Sequence, residues 1–121
     1  MDILEFREYC LSLPAATECT PFDEDTLVFK VMGKMFTYAG MENFSRLSVK
    51  CDPDLAVELR ERYPEITPGF HSNKLHWNTV RVDGDLTDSF MKEQIRNSYD
   101  LVAAGLPRKL KEELAGYEDD R

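Results

Sequence analysis

Twelve residues, PGFHSNKLHWNT at positions 68 to 79, gather the side chains best suited to chemistry. Both histidines, a lysine, two asparagines and the only tryptophan follow a Pro-Gly turn. His71 and His76 are of a type that ligates metals, but a specific site needs three or four convergent donors. No third ligand lies near in sequence, so no metal is read here. His71 is also a possible general base, yet the sequence supplies neither a nucleophile nor a group to orient it. Cys51 is the one imaginable nucleophile, and its alternation with Val49 argues for burial. A third reading is a binding surface. Lys74 offers charge to an anion, Asn73 and Asn78 offer paired donors and acceptors, and Trp77 offers a flat stacking face. Lys30, Lys50, Arg46 and Arg81 fall on strand faces opposite the apolar ones and are candidates to converge beside it. Against all three stands packing: a large aromatic filling the core, with His76 and Asn78 tying a loop. Residue chemistry alone favours packing, because large aromatics mostly serve that role.

The remaining signatures are negative. The chain has no phosphate-cradling glycine motif, no nucleophile elbow, no HExxH and no CxxC, so no catalytic residue and no cofactor is assigned. DGDLTD at 83 to 88 lacks the glycine and terminal glutamate of a calcium loop and reads as a turn with a helix cap. Acids 23 to 25 (DED) read as a solvated loop before a weak cation site.

A chain of 121 residues, 42% hydrophobic and 31% charged, has the composition of one globular domain. It contains no apolar run near the ~18 residues of a membrane span, and MDILEFREYC lacks the apolar region of a signal peptide. Cys10, Cys19 and Cys51 are an odd number without metal spacing, which fits reduced thiols and a cytoplasmic setting. The net charge of −8 is uneven: residues 1 to 26 hold seven acids and one base, residues 27 to 82 hold eight bases and six acids. A surface that binds nucleic acid throughout should be basic, so any such surface here must be a local patch in the middle segment.

Periodicity supplies the elements. Ile3, Phe6, Cys10 and Leu13 share the face of a helix from about Asp2 to Leu13, ended by Pro14. Residues 14 to 26 read as a loop. Leu27, Phe29 and Val31 alternate, Phe36 and Tyr38 share another face, and Gly33-Lys34 between them suits a type II′ hairpin. Leu47, Val49 and Cys51 alternate against Arg46, Ser48 and Lys50. Asp52-Pro53-Asp54 starts a second helix with Leu55, Ala56, Leu59 and Tyr63 inward. A strand follows near His76 to Val82, with Asn78, Val80 and Val82 opposite Trp77, Thr79 and Arg81. A long helix over about Thr87 to Ala104 ends at Gly105, and Pro107 opens a last one carrying Leu110 and Leu114. The order α-β-β-β-α-β-α-α predicts a single-domain α+β fold, an antiparallel sheet of about four or more strands with helices on one face. Residues 1 to 115 form the domain and 116 to 121 an acidic, flexible tail.

PGFHSNKLHWNTV also resembles the hallmark segment of the MmcQ/YjbR family of small bacterial proteins. FREYCLSLP, VFKVMGKMF, LSVKCDPDLAVELR and NSYDLVAAGLPRK agree, so the resemblance spans Asp2 to about Leu114. It implies a CyaY/frataxin-like fold and a DNA-binding role. The positions matching the pattern are Pro68, Gly69, His71, Asn73, Lys74, His76, Trp77 and Asn78, with Lys30 in the hairpin and Ser98-Tyr99 in the long helix. Phe70 stands where an aromatic is expected.

The expectation is a non-catalytic cytoplasmic binding protein. Its ligand site comprises His71, Asn73, Lys74, His76, Trp77 and Asn78, with Lys30, Lys50 and Arg81 as neighbours. DNA is the partner the resemblance implies, and no membrane is involved. The alternatives are an enzyme or a small anionic-ligand binder using His71 and His76, an iron site on Asp2, Glu5 and Glu8, and a protein-interaction module.

Overall fold

In the computed structural model, which describes residues 1–69 and 73–119, α1 (Ile3–Ser12) starts where Asp2 accepts the Glu5 N–H at 2.8 Å. That contact satisfies one of the orphan donors at a helix start. Six strands follow: β1 (Ala16–Cys19), β2 (Thr26–Val31), β3 (Lys34–Gly40), β4 (Arg46–Lys50), β5 (Ile66–Pro68) and β6 (Trp77–Arg81). Between β4 and β5 lies α2 (Pro53–Arg62), capped by the Asp52 carboxylate and opened by Pro53 as expected. After β6 come α3 (Asp88–Ala104), capped by Thr87, and α4 (Arg108–Asp119). The strands form one antiparallel sheet in the order β1-β2-β3-β4-β6-β5.

The α+β class and the single layer of helices agree with the sequence, but the element order gains two strands. β1 lies in the segment read as a loop, and β5 precedes the histidine motif. Both are edge strands, four and three residues long. An edge strand bonds on one side only and has no second neighbour to demand alternating apolar residues, so the polar Thr17-Glu18 and the terminal Pro68 are tolerated.

Two further corrections concern the hairpin. Val31 pairs with Lys34, so the loop is Met32-Gly33, one residue earlier than expected. Both residues have positive φ, 48° and 82°, which is the type I′ geometry and not type II′. Further along, the register shifts: Phe29 pairs with Thr37 while Lys30 pairs with Met35, leaving Phe36 as the extra residue of a bulge. The bulge separates Phe36 from Tyr38. Phe36 turns into the core between Phe29 (6.5 Å) and Tyr99 (5.3 Å, edge-on), whereas Tyr38 faces across the sheet to Trp77 (5.8 Å).

The register then fixes two faces. Leu27, Phe29, Leu47, Val49, Ile66 and Val80 meet the helices. α1 contributes Phe6, edge-on to Phe29 at 5.3 Å, and α3 contributes Met91, Ile95 and Tyr99. Ser98, fully buried, joins α3 to the bulge: its hydroxyl accepts the Lys50 N–H (2.7 Å) and donates to the Phe36 carbonyl (2.5 Å). Tyr99 donates to the Pro14 carbonyl at 2.6 Å, tying the end of α1 to the same helix. The opposite face carries Lys30, Met35, Tyr38, Ser48, Lys50, Trp77 and Thr79, and no described helix packs on it. No described helix is long and apolar enough to cross a membrane.

Candidate ligand-binding face

The motif is anchored before it is used. Asn73 accepts the Leu75 N–H on its side-chain oxygen (2.8 Å) and the Trp77 N–H on its carbonyl (2.9 Å), which closes the turn into β6. Arg60 of α2 then clamps that turn. Its Nε donates to Asn78 Oδ1 at 2.7 Å, and its Nη2 donates to the carbonyls of Lys74 and Trp77. Asn78 is 1% exposed and lies on the helix-covered face, so its carbonyl oxygen is committed to Arg60 and does not face a ligand. Sequence reading missed Arg60. The available signal was a base four residues after Ala56, on the inward stripe of α2, where a charge must have partners.

Gly69 explains the second half of the Pro-Gly pair. Its N–H donates to the Trp77 carbonyl at 2.8 Å, and a β-carbon there would stand 2.8 Å from Trp77 Cβ. Gly69→Ala is therefore expected to cost about 2 kcal/mol through overpacking, read as a lower urea midpoint at unchanged slope.

Trp77 is 9% exposed and packed on Tyr38, so its indole is a wall of the site and not an open stacking platform. His76 is half-buried and its carbonyl accepts the Cys51 N–H at 2.7 Å. His71, Phe70 and Ser72 lie outside the described residues. Burial pushes the Cys51 thiol up, helped by the neighbouring Asp52 charge, and burial does the same to Cys10. Neither sulfur is a ready thiolate. Asp2 serves as the α1 cap, and among the described residues no three His, Cys, Asp or Glu side chains are grouped to hold a metal ion.

The bases divide into two ends of this helix-free face, whose middle residues Val28, Ser48, Trp77 and Thr79 are buried. Lys50 pairs directly with Trp77, and Lys30 pairs with Met35 on the same face. With about 4.8 Å between strands, Lys30 and Lys50 stand about 10 Å apart across β3. Lys74 is exposed on the adjoining turn. Arg46 and Arg81 pair with each other four residues further along β4 and β6, about 13 Å away. Arg81 is held by Asp83 at 3.2 Å.

A groove of about 740 Å³ occupies the same face on the Arg46 side. Thr79 and Ser48 line it from β6 and β4, Tyr38 and Met35 from β3, and Phe22 stands at the rim, 69% exposed. Asp23, Asp25 and Glu42 outnumber Arg46 among its lining residues. Asp23 accepts the Thr26 and Asp25 N–H groups and the Thr26 hydroxyl, which holds its carboxyl below the usual range. Thr79 is 4% exposed, and its hydroxyl has no hydrogen-bond partner. Its residues come from two loops and four strands, and the only part of it with a signal in the sequence is the acidic run 23 to 25.

The YjbR family model matches residues 11–101 of the chain. The uncharacterised protein YjbR of Escherichia coli K12 is 34% identical over 110 residues, covering 90% of this chain and 93% of that protein. The uncharacterised protein YbdF of Escherichia coli O157:H7 is 31% identical over 104 residues, 85% of each chain. Among solved structures, Deinococcus radiodurans protein DR2400, described by the domain name DUF419, superposes with a TM-score of 0.87 at 39% identity, covering 94% of this chain and 88% of that one. A Pseudomonas syringae protein gives a TM-score of 0.71 at 25% identity over 84% of this chain and 98% of that one. Sequence likeness and fold likeness thus point the same way, and the chain belongs to the YjbR family.

Proposed function

We propose that this protein is a non-catalytic cytoplasmic module that binds DNA through the Lys30–Lys50–Lys74 end of the sheet face opposite the helices. The observation that carries the reading is the register: Lys30, Lys50 and Trp77 come from three strands to one face that no described helix covers. Lysines on a sheet face can neutralise phosphates spaced along a strand, and phosphate contacts supply sequence-independent affinity. The net charge of −8 opposes long-range attraction, so binding is local and weak. The charge elsewhere is screened beyond about 10 Å at 0.1 M salt. A CyaY/frataxin-like comparison belongs with this reading as its fold-level analogue.

Burial raises the pKa of the Cys10 thiol and that of Cys51, the cysteine beside His76, which favours binding over catalysis. The test is a fluorescence-anisotropy titration of labelled duplex and single-stranded DNA across a salt series. The wild type is expected to lose affinity with a log–log slope of about −2 to −3, and Lys30→Gln/Lys50→Gln to flatten that slope by about two. A flat wild-type response removes DNA from consideration. Binding that persists only for small anionic metabolites would move the ligand class to those.

A further inference from the structure

We propose that the groove bounded by Phe22, Tyr38, Glu42 and Thr79 is a second site, which takes a small organic cation: an ammonium or guanidinium on a short apolar body. It does not rest on the DNA reading; its acids lie on the Arg46 side, while Met35 and Tyr38 border the lysine end beside Lys30 and Trp77.

Three observations carry it. The first is charge: three carboxylates and one guanidinium line the groove, in contrast to the lysine end. The oxygens of Asp23 are occupied by its own loop, and Asp25 Oδ1 accepts the Glu42 N–H at 2.7 Å. Asp25 Oδ2 and the Glu42 carboxylate therefore remain to meet a cation. The second is Thr79, whose buried hydroxyl lines the groove without a partner. Leaving such a group unsatisfied is unfavourable, and it calls for a polar atom brought by a ligand. The third is the apolar surface of Tyr38, Met35 and the exposed Phe22, which suits a hydrocarbon or aryl body and places an aromatic ring near the positive charge.

A divalent metal ion fits less well. It needs six or more oxygens at short range, and a space of about 740 Å³ has the size of a small-molecule site. A free anion fits least, because it would meet three acids for one base.

The test uses tyramine as probe and 4-hydroxyphenylacetate, the same body with a carboxylate, as counter-probe. Both are followed by backbone amide shifts in the full chain. Tyramine is expected to move Tyr38, Ser48 and Thr79, and the counter-probe to leave them in place. Glu42→Gln is expected to weaken tyramine about tenfold, as loss of a charge-assisted hydrogen bond should. Glu93→Gln, which removes the same charge from an exposed position on α3, should leave the affinity unchanged. Thr79→Val is expected to weaken tyramine several-fold without lowering the melting temperature, because the hydroxyl has no partner in the free protein. The proposal is overturned if tyramine causes no shifts at millimolar concentration. It is equally overturned if both probes bind alike, or if Glu93→Gln weakens tyramine as much as Glu42→Gln does.

Discussion

Ser98→Ala is expected to lower the stability of the fold by about 3 kcal/mol and its melting temperature by about 10 °C. The Ser98 hydroxyl is the link between the Lys50 N–H and the Phe36 carbonyl, just beyond the last β3–β4 pair (Thr37 with Val49) and at the residue where β3 bulges against β2. Its removal leaves a donor and an acceptor without partners inside the protein, and each buried unsatisfied group costs about 1–3 kcal/mol. No solvent route compensates, since Ser98 and Phe36 are both fully buried. Because a domain of this size is stable by only about 5–15 kcal/mol, the loss should be plain in calorimetry. Asn97→Ala, one residue earlier on the exposed side of α3, should change little. Equal, small effects from both substitutions would show that the hydroxyl does not bridge the ladder.

Arg60→Ala is the second large effect. Asn78 Oδ1 and the Lys74 carbonyl lose the Arg60 donor, and the Trp77 carbonyl is left with the Gly69 N–H alone. The Asn78 amide nitrogen already lacks a hydrogen-bond partner, so the substitution strips a side chain that is 1% exposed of its remaining contact. The expected cost is about 3 kcal/mol. The only tryptophan reports the local consequence, a red shift of Trp77 emission as the Asn73–Trp77 turn loosens. Arg60→Lys should recover only part of the loss, because an ammonium is a point donor that does not reproduce the planar fork reaching three oxygens. Unchanged emission in Arg60→Ala would mean that the turn is held by Asn73 alone.

These two residues also mark where the sequence was and was not legible. Helices with strong punctuation could be read closely: Asp52-Pro53 and Thr87 cap where expected, and the Leu47/Val49 and Val80 alternation correctly separates the two faces of β4 and β6. The edge strands β1 and β5 were illegible because pairing on one side leaves no periodic apolar signature. The bulge at Phe36 was illegible for a different reason. Alternation assumes a regular pleat, and one inserted residue reverses the face of everything beyond it. In the motif, residue types suggested a ligand for each polar side chain, whereas Asn73, Asn78 and Gly69 are spent on shaping the turn. The bases Lys30, Lys50 and Arg81 were correctly assigned to polar strand faces, but their separation into two ends depends on strand order, which no single chain reveals. The groove left one local trace, the acidic run 23 to 25 that reads as a solvated loop; the rest of its lining comes mostly from β3, β4, β6 and the β3–β4 loop and carries no motif.

The sheet face opposite the helices is the proposed binding surface, and amide shift mapping with a short single-stranded DNA at low salt tests it most directly. The predicted result is a continuous set of shifts at Lys30, Lys50, Lys74 and Trp77 that fades as salt is added, with α1 and α3 undisturbed. Shifts concentrated on the exposed sides of α1 and α3, or none at all, would contradict it.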